Sequence, residues 1–347
     1  MKPLVIGDAV AALPVVQGGM GVGISLSGLA GAVAEAGGVG VISAAQTGYN
    51  RDGFASNPLK ANLEALAYHI RAAKTKAKGG PVGVNIMVAL SHYAEYVRCA
   101  VENGADLIIS GAGLPTTLPA LVAGSRVKIA PIVSSAKAAT VLLNLWAKKY
   151  DRTADLVVLE GPKAGGHLGF SLEELAGEPD MDAVVRGVIA VAAQFEEKYG
   201  RAVPTVFGGG VYDRADTERY LALGCAGVQV ATRFVATEEC DAADAFKNAY
   251  LRARREDILV VKSPVGMPGR ALNNPFLQNV ARGNRYFEHC TRCIPSCKPA
   301  DIPYCITQAL VNSARGNVDE GLIFCGEIVH RVNEMTTVKD VLRELTE

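Results

Sequence analysis

Residues 201–234 read RAVPTVFGGGVYDRADTERYLALGCAGVQVATRF. Two short apolar runs, Val203 to Phe207 and Gly227 to Thr232, bracket a helix-like stretch from Arg214 to Leu223. Both runs are almost continuously apolar, the pattern of parallel strands covered on both faces. Gly208-Gly209-Gly210 follows the first run directly, so the stretch reads as strand, glycine turn, helix and strand.

The same alternation extends toward the amino terminus. Strands are expected at Leu13 to Gln17, Val39 to Ser43, Val82 to Met87, Asp106 to Ser110, Val127 to Val133 and Asp155 to Glu160. Helices are expected at Ser27 to Ala36, Lys60 to Lys78, Tyr93 to Asn103, Ala136 to Lys149 and Asp182 to Tyr199. A doubly wound sheet competes for such a pattern. The count of eight units favours a (β/α)8 TIM barrel, whose usual length is about 250 residues. The reading is therefore an α/β barrel over residues 1–240, with an appended C-terminal lobe over 241–347. That lobe begins with a turn-rich stretch, Lys262-Ser263-Pro264-Val265-Gly266-Met267-Pro268-Gly269-Arg270, and carries a four-cysteine cluster.

Lys plus Arg and Asp plus Glu both number 35 in 347 residues, so the net charge is zero. A neutral chain lacks the basic surface that nucleic acid or an anionic membrane needs, and a small-molecule substrate is expected instead. Hydrophobic residues are 49% and charged ones 20%, which excludes disorder. No secretory pattern is seen at the start, and the uncharged stretch from Ala9 to Ala34 is broken by Pro14 and the glycines after Gln17. A cytoplasmic protein is expected. A homo-oligomer and an electron-donor protein partner both stay open.

A barrel builds its active site just past the carboxyl ends of its strands. There this chain places Gln17-Gly18-Gly19-Met20, Asn85, Glu160 with the loop to Gly169, Gly209 and Gly210, and Gln229-Val230-Ala231-Thr232. Glycine lets backbone N–H groups approach an anion closely, so the runs after the last two strands point to a phosphorylated cofactor. Among five histidines, His167 alone sits in a glycine-flanked strand-end loop, Gly165-Gly166-His167-Leu168-Gly169, and is read as catalytic.

Cys290, Cys293, Cys297 and Cys305 follow a C-x2-C-x3-C-x7-C spacing, which in a cytosolic chain points to a metal ahead of disulfides. A single zinc site and a [4Fe–4S] cluster are both open, as are unligated thiols. His289 is a further ligand candidate. Cys99, Cys225, Cys240 and Cys325 are scattered and read as small buried apolar residues.

Together these motifs, with Gly83-Val84-Asn85, Pro131-Ile132-Val133-Ser134-Ser135 and Gly224 to Phe234, resemble the nitronate monooxygenase (2-nitropropane dioxygenase) family and the related FMN-dependent enoyl-acyl-carrier-protein reductases. The resemblance implies FMN in the barrel mouth. Gly18, Gly19, Met20, Asn85, Glu160, Gly165 and Gly166 would then lie along the flavin, and Gly209, Gly210 and Gln229 to Thr232 around its phosphate. It implies that His167 handles a proton beside the substrate. Two departures stand out: Glu160 where many members have Gln, and Lys163 where they have Glu. Lys163 could pair with Glu160 or bind an anionic substrate. The cysteine run is similar to that of the 2,4-dienoyl-CoA reductase group, which places iron–sulfur ahead of zinc. The expected activity is nitronate oxidation. The alternative is enoyl-thioester reduction with NAD(P)H or an iron–sulfur relay. A non-catalytic binding module is the third reading.

Overall fold

Alternation of side chains between two faces is what lets eight short strands close on themselves. The computed structural model describes residues 1–177, 179–287 and 290–347. Its barrel strands are β1 (Val15–Gln17), β2 (Gly40–Ser43), β3 (Val82–Met87), β4 (Leu107–Gly111), β5 (Lys128–Val133), β6 (Val157–Glu160), β7 (Thr205–Gly208) and β8 (Gly227–Val230). All pair in parallel, each with its sequence neighbours. The ring closes between β1 and β2 at the bridge Val16–Val39, where the Gln17 N–H donates to Val39 O at 2.9 Å. Every expected strand is present, with ends trimmed or extended by a residue or two.

Inside the ring, Val16, Val41, Leu107, Ile109, Ala130, Val158 and Val206 form one apolar cluster. Their neighbours Val15, Ile42, Ile108, Ile129, Leu159, Phe207 and Val228 face the surrounding helices. The same period of two carries Asn85, Glu160, Gly208 and Gln229 onto the inner face at the carboxyl ends of their strands. The opposite end is plugged by an unforeseen hairpin, Leu4–Ile6 with Ala9–Ala11, whose Leu4, Ile6 and Ala11 join the inner cluster. Asp8 at its turn pairs with Lys128 at the start of β5.

Most connecting helices match their expected spans, among them Pro58–Lys76, Ala136–Tyr150 and Met181–Tyr199. After β4 only Leu118–Leu121 is helical; Pro119 lies in its first turn, where proline is tolerated, and the chain turns away at Gly124, with φ +76°. The first helix, Ser27–Glu35, has no cap of its own, since Leu26 stands at the N-cap. Asp241 supplies one from far along the chain, accepting from the N–H groups of Leu26, Gly28 and Leu29 at 2.8, 2.9 and 3.0 Å.

Beyond residue 240 come helix Asp244–Arg252, a hairpin of Ile258–Lys262 with Pro268–Leu272, and helices Pro275–Ala281 and Ile306–Ala314. Helix Asp244–Arg252 buries Phe246 and Tyr250 in the main core, while the hairpin and the two later helices share a separate small core around Ala271, Phe276, Tyr304 and Ile306. The terminal helix Val338–Thr346 then returns to the barrel and packs between Ser27–Glu35 and Arg214–Ala222. Its Val338, Val341, Leu342 and Leu345 are buried in the main core, and Arg233 pairs with its Glu344. It stands where the eighth barrel helix belongs. No helix among the described residues is long and apolar enough to cross a membrane.

Leu342 is 2% exposed, so Leu342→Ala should cost about 2–5 kcal/mol in urea unfolding. A loss below about 1 kcal/mol would show that this helix is not part of the barrel core.

Candidate active site

The strand-end loops enclose a cavity of about 430 Å³ at the mouth of the barrel. All the flavin-contact positions named from the sequence line it: Gly18 to Met20, Asn85, Glu160, Gly165 to His167, Gly209, Gly210 and Gln229 to Thr232. Local packing explains why several must be glycine. A Cβ on Gly19 would lie 2.4 Å from that of Asn85. Gly209 has φ +113°, and a Cβ there would meet Gly161 O at 3.0 Å and Ala164 N at 3.1 Å. The loop after β6 is thus pressed onto the glycine turn after β7.

Three backbone donors are left over here, two at this turn and one just past β8. Among the described residues, no group accepts from the N–H of Gly209, Gly210 or Ala231. The Asn85 amide also finds no partner among them, although it lies on the cavity wall. Unpaired polar groups beside a pocket are costly in a folded chain unless something binds them. The turn offers converging donors to an oxyanion, and Asn85 offers a donor and an acceptor farther along the same cavity.

His167 is held by a device that sequence patterning did not show. Gly166–His167 forms a two-residue strand that pairs antiparallel with Arg270 and Gly269 of the C-terminal hairpin. Leu168 N–H donates to Pro268 O at 2.9 Å, extending the ladder. The buried Arg270 guanidinium then reaches back, donating to Pro162 O at 2.8 Å and to Ala164 O, and pairing with Glu327 at 3.5 Å. The stretch around Ser263 to Arg270 drew attention only as a rigid turn. Folded, it supplies Ser263, whose Oγ lies 2.8 Å from His167 Nε2, and Met267 on the cavity wall. Leu310, Phe324 and Tyr250 also line the cavity from beyond residue 240. They belong to no motif, so only contact in space could reveal them. Phe324 meets the His167 ring edge-on, with centroids 4.9 Å apart.

Burial sets the charge of the site. It pushes the His167 imidazole down to about 4, leaving it neutral near pH 7. It pushes the Glu160 carboxyl up to about 7, an effect that a hydrogen bond from the Gly169 backbone only partly offsets. A pair with Glu160, one of the roles open to Lys163, is not formed among the described residues. The Lys163 stem instead lies against Gly210, 3.1 Å from where a Cβ would be, while its carbonyl accepts from the Glu327 N–H at 3.2 Å.

The metal centre expected at the cysteine run is not assembled. Among the described residues, no group of three or more His, Cys, Asp or Glu side chains is placed to hold a metal ion. His289 lies outside the described residues. Cys293 and Cys297 pack against the small core of Phe276, Ile294 and Tyr304, and Cys305 is buried. Burial, and after it the neighbouring Cys293, Cys290 and Cys305 thiols, push the Cys297 thiol upward.

The folded protein holds the Glu160 proton more tightly than the unfolded chain does. The stability it brings is complete below about pH 4.5 and is lost as pH rises through about 7. In flavin-free protein, Glu160→Gln should therefore gain about 2–3 kcal/mol on the parent between pH 5 and pH 8. A difference in urea-unfolding stability that does not change with pH would contradict this placement.

Comparison with known proteins agrees with this architecture. A (3aS,4S,5R,7aS)-5-hydroxy-7a-methyl-1-oxo-octahydro-1H-indene-4-carboxyl-CoA dehydrogenase of Mycobacterium tuberculosis is 28% identical over 275 residues, 78% of this chain and 66% of that protein. The Rhodococcus jostii protein of the same name is 25% identical over 361 residues, 95% of this chain and 90% of its own length. The structure of FabK from Thermotoga maritima superposes with a TM-score of 0.72 at 25% identity, covering 96% of this chain and 92% of that one. The sequence pattern of the nitronate monooxygenase family matches residues 3–347, and the chain belongs to that family of oxidoreductase enzymes.

Proposed function

We propose that this chain is an FMN-dependent oxidoreductase acting on a small substrate whose reacting carbon adjoins a strongly electron-withdrawing group. The observation that carries the reading is one cavity holding both a set of unpaired backbone donors and a shielded histidine. The residues present fit FMN: Gly209, Gly210 and Ala231 have N–H groups to offer its phosphate, and Asn85 has a free amide for the ring system. When bound there, FMN would supply hydride and electron transfer. The chain's own tasks are to orient the substrate, exclude water and move a proton.

His167 is the group suited to the last task. Neutral and half-buried, its imidazole can take a carbon-bound proton or donate a hydrogen bond to an oxygen next to the reacting carbon. Met267, Phe324 and Leu310 keep that region apolar. A carboxyl at Glu160 pushed up to about 7 would put less negative charge beside the ring system near neutral pH than an ordinary carboxylate does. No ligand group is formed at the cysteine segment among the described residues, and no step runs through it.

Alkyl nitronates are the first substrate class, on the strength of the family match. Conjugated acyl thioesters are the second, and one observation favours them. Among the described residues, Lys163 is the one Lys or Arg on the cavity wall, and it lies on the Gly210 side. A neutral histidine in an apolar pocket suits an uncharged carbonyl compound better than an anion. The two relatives named for a CoA substrate point the same way. In that reading NAD(P)H is the reductant.

Purified protein should be yellow and release FMN on denaturation. A colourless preparation that FMN cannot reconstitute would defeat the cofactor assignment. Anaerobic mixing with propyl nitronate, and separately with NADH and crotonyl-CoA, divides the two classes. Bleaching by the nitronate alone supports oxidation, and NADH-driven loss of enoyl absorbance supports reduction. His167→Ala should slow the productive reaction by roughly 10²–10⁴-fold. An unchanged rate would remove His167 from the mechanism.

A further inference from the structure

The hydrogen-bond economy around His167 goes beyond its assignment as a proton handler. Its Nε2 lies 2.8 Å from the Oγ of Ser263, and one proton is shared between them. Ser263 is 2% exposed, so water does not satisfy its hydroxyl. The Ser263 Oγ already accepts from the Val265 N–H at 3.3 Å. Among the described residues it has no acceptor for its own proton other than His167 Nε2. Had Nε2 carried the proton, the serine O–H would be left buried and unpaired, at a cost of about 1–3 kcal/mol. With the serine donating, both groups are satisfied.

We propose that Ser263 is a positioning residue that holds His167 as the Nδ1–H tautomer, so that the imidazole meets the substrate as a hydrogen-bond donor rather than as a base. The ring lines the cavity, and among the described residues its Nδ1 has no partner. Phe324, edge-on to the same ring at 4.9 Å, limits its reorientation. Among the described residues no charged group is paired with the histidine, so none of them stabilises an imidazolium that a base would have to become. Ser263 follows directly on the strand Ile258–Lys262, and the partner strand Pro268–Leu272 pairs with Gly166–His167. The same hairpin thus fixes the histidine backbone and selects its tautomer.

The chemical consequence rests on the reading of the cavity as a redox site. A donor at this point suits a substrate that presents an oxygen beside the reacting carbon, whether a thioester carbonyl or a nitro group. The hydrogen bond polarises that oxygen while the carbon changes oxidation state, and no covalent bond to the protein forms.

The tautomer can be measured whatever the substrate proves to be. Protein labelled with ¹⁵N at histidine, with the His167 signal identified by its loss in His167→Gln, is examined by long-range ¹H–¹⁵N correlation near pH 7, flavin-free and FMN-loaded. The expected result is a protonated Nδ1 and an unprotonated Nε2 in the parent. Ser263→Thr should keep that pattern, and Ser263→Ala should shift it toward Nε2–H. Turnover with whichever substrate is active should fall about 10-fold in Ser263→Ala, with the loss in kcat, and recover in Ser263→Thr. An Nε2–H signal in the parent overturns the proposal, and so does an Nδ1–H signal that Ser263→Ala leaves unchanged. Either result can arise while His167 remains essential, so this proposal can fail without the functional reading failing.

Discussion

Two residue pairs of backbone ladder, Gly166 with Arg270 and His167 with Gly269, decide what the barrel mouth can do. A loop after a barrel strand is ordinarily the most mobile part of the fold. Here the loop after β6 is pinned from outside by a hairpin lying about a hundred residues later in the chain. Arg270 takes up two loop carbonyls, Pro162 and Ala164, that would otherwise need water. Its own charge is met by Glu327 at 3.5 Å. The residues proposed to carry the chemistry are therefore in the barrel, and those that hold their loop still are in the appended segment.

That arrangement also sets the electrostatics. By covering the loop, Met267, Phe324 and Leu310 help remove water from His167 and Glu160, and desolvation disfavours the charged form of both. A base and an acid are each pushed toward neutrality, in opposite directions on the pH scale. The open hydrogen-bonding capacity of the mouth belongs instead to backbone, at Gly209, Gly210 and Ala231, and to the Asn85 amide. A site of this kind recognises by dipoles and shape and leaves the electron chemistry to what it binds.

The barrel was legible because parallel strands buried on both faces leave near-continuous apolar runs, and Val82 to Met87 or Gly227 to Val230 cannot be read otherwise. The glycines and His167 were legible because strand ends are where a barrel places its chemistry. The hairpin plug at Leu4–Ile6 and Ala9–Ala11 was missed, since three-residue strands carry too little periodicity to stand out. Asp241 as a cap, Arg270 as a clamp and Ser263 as a partner of His167 act across 96 to 215 residues of separation, which no local pattern encodes. The cysteine run is a strong local signal in its spacing, but no ligand group is formed among the described residues, and Cys293 and Cys297 pack with Ile294 and Tyr304.

At the centre of the account stands the claim that the turn after β7 receives a phosphate while the rest of the cavity receives a flat ring system. Calorimetric titration of flavin-free protein with FMN and with riboflavin tests it most directly, because the two ligands differ in that phosphate alone. One FMN per chain, bound at least about tenfold more tightly than riboflavin, is the predicted result. Equal affinity for the two, or no binding of either, would contradict it.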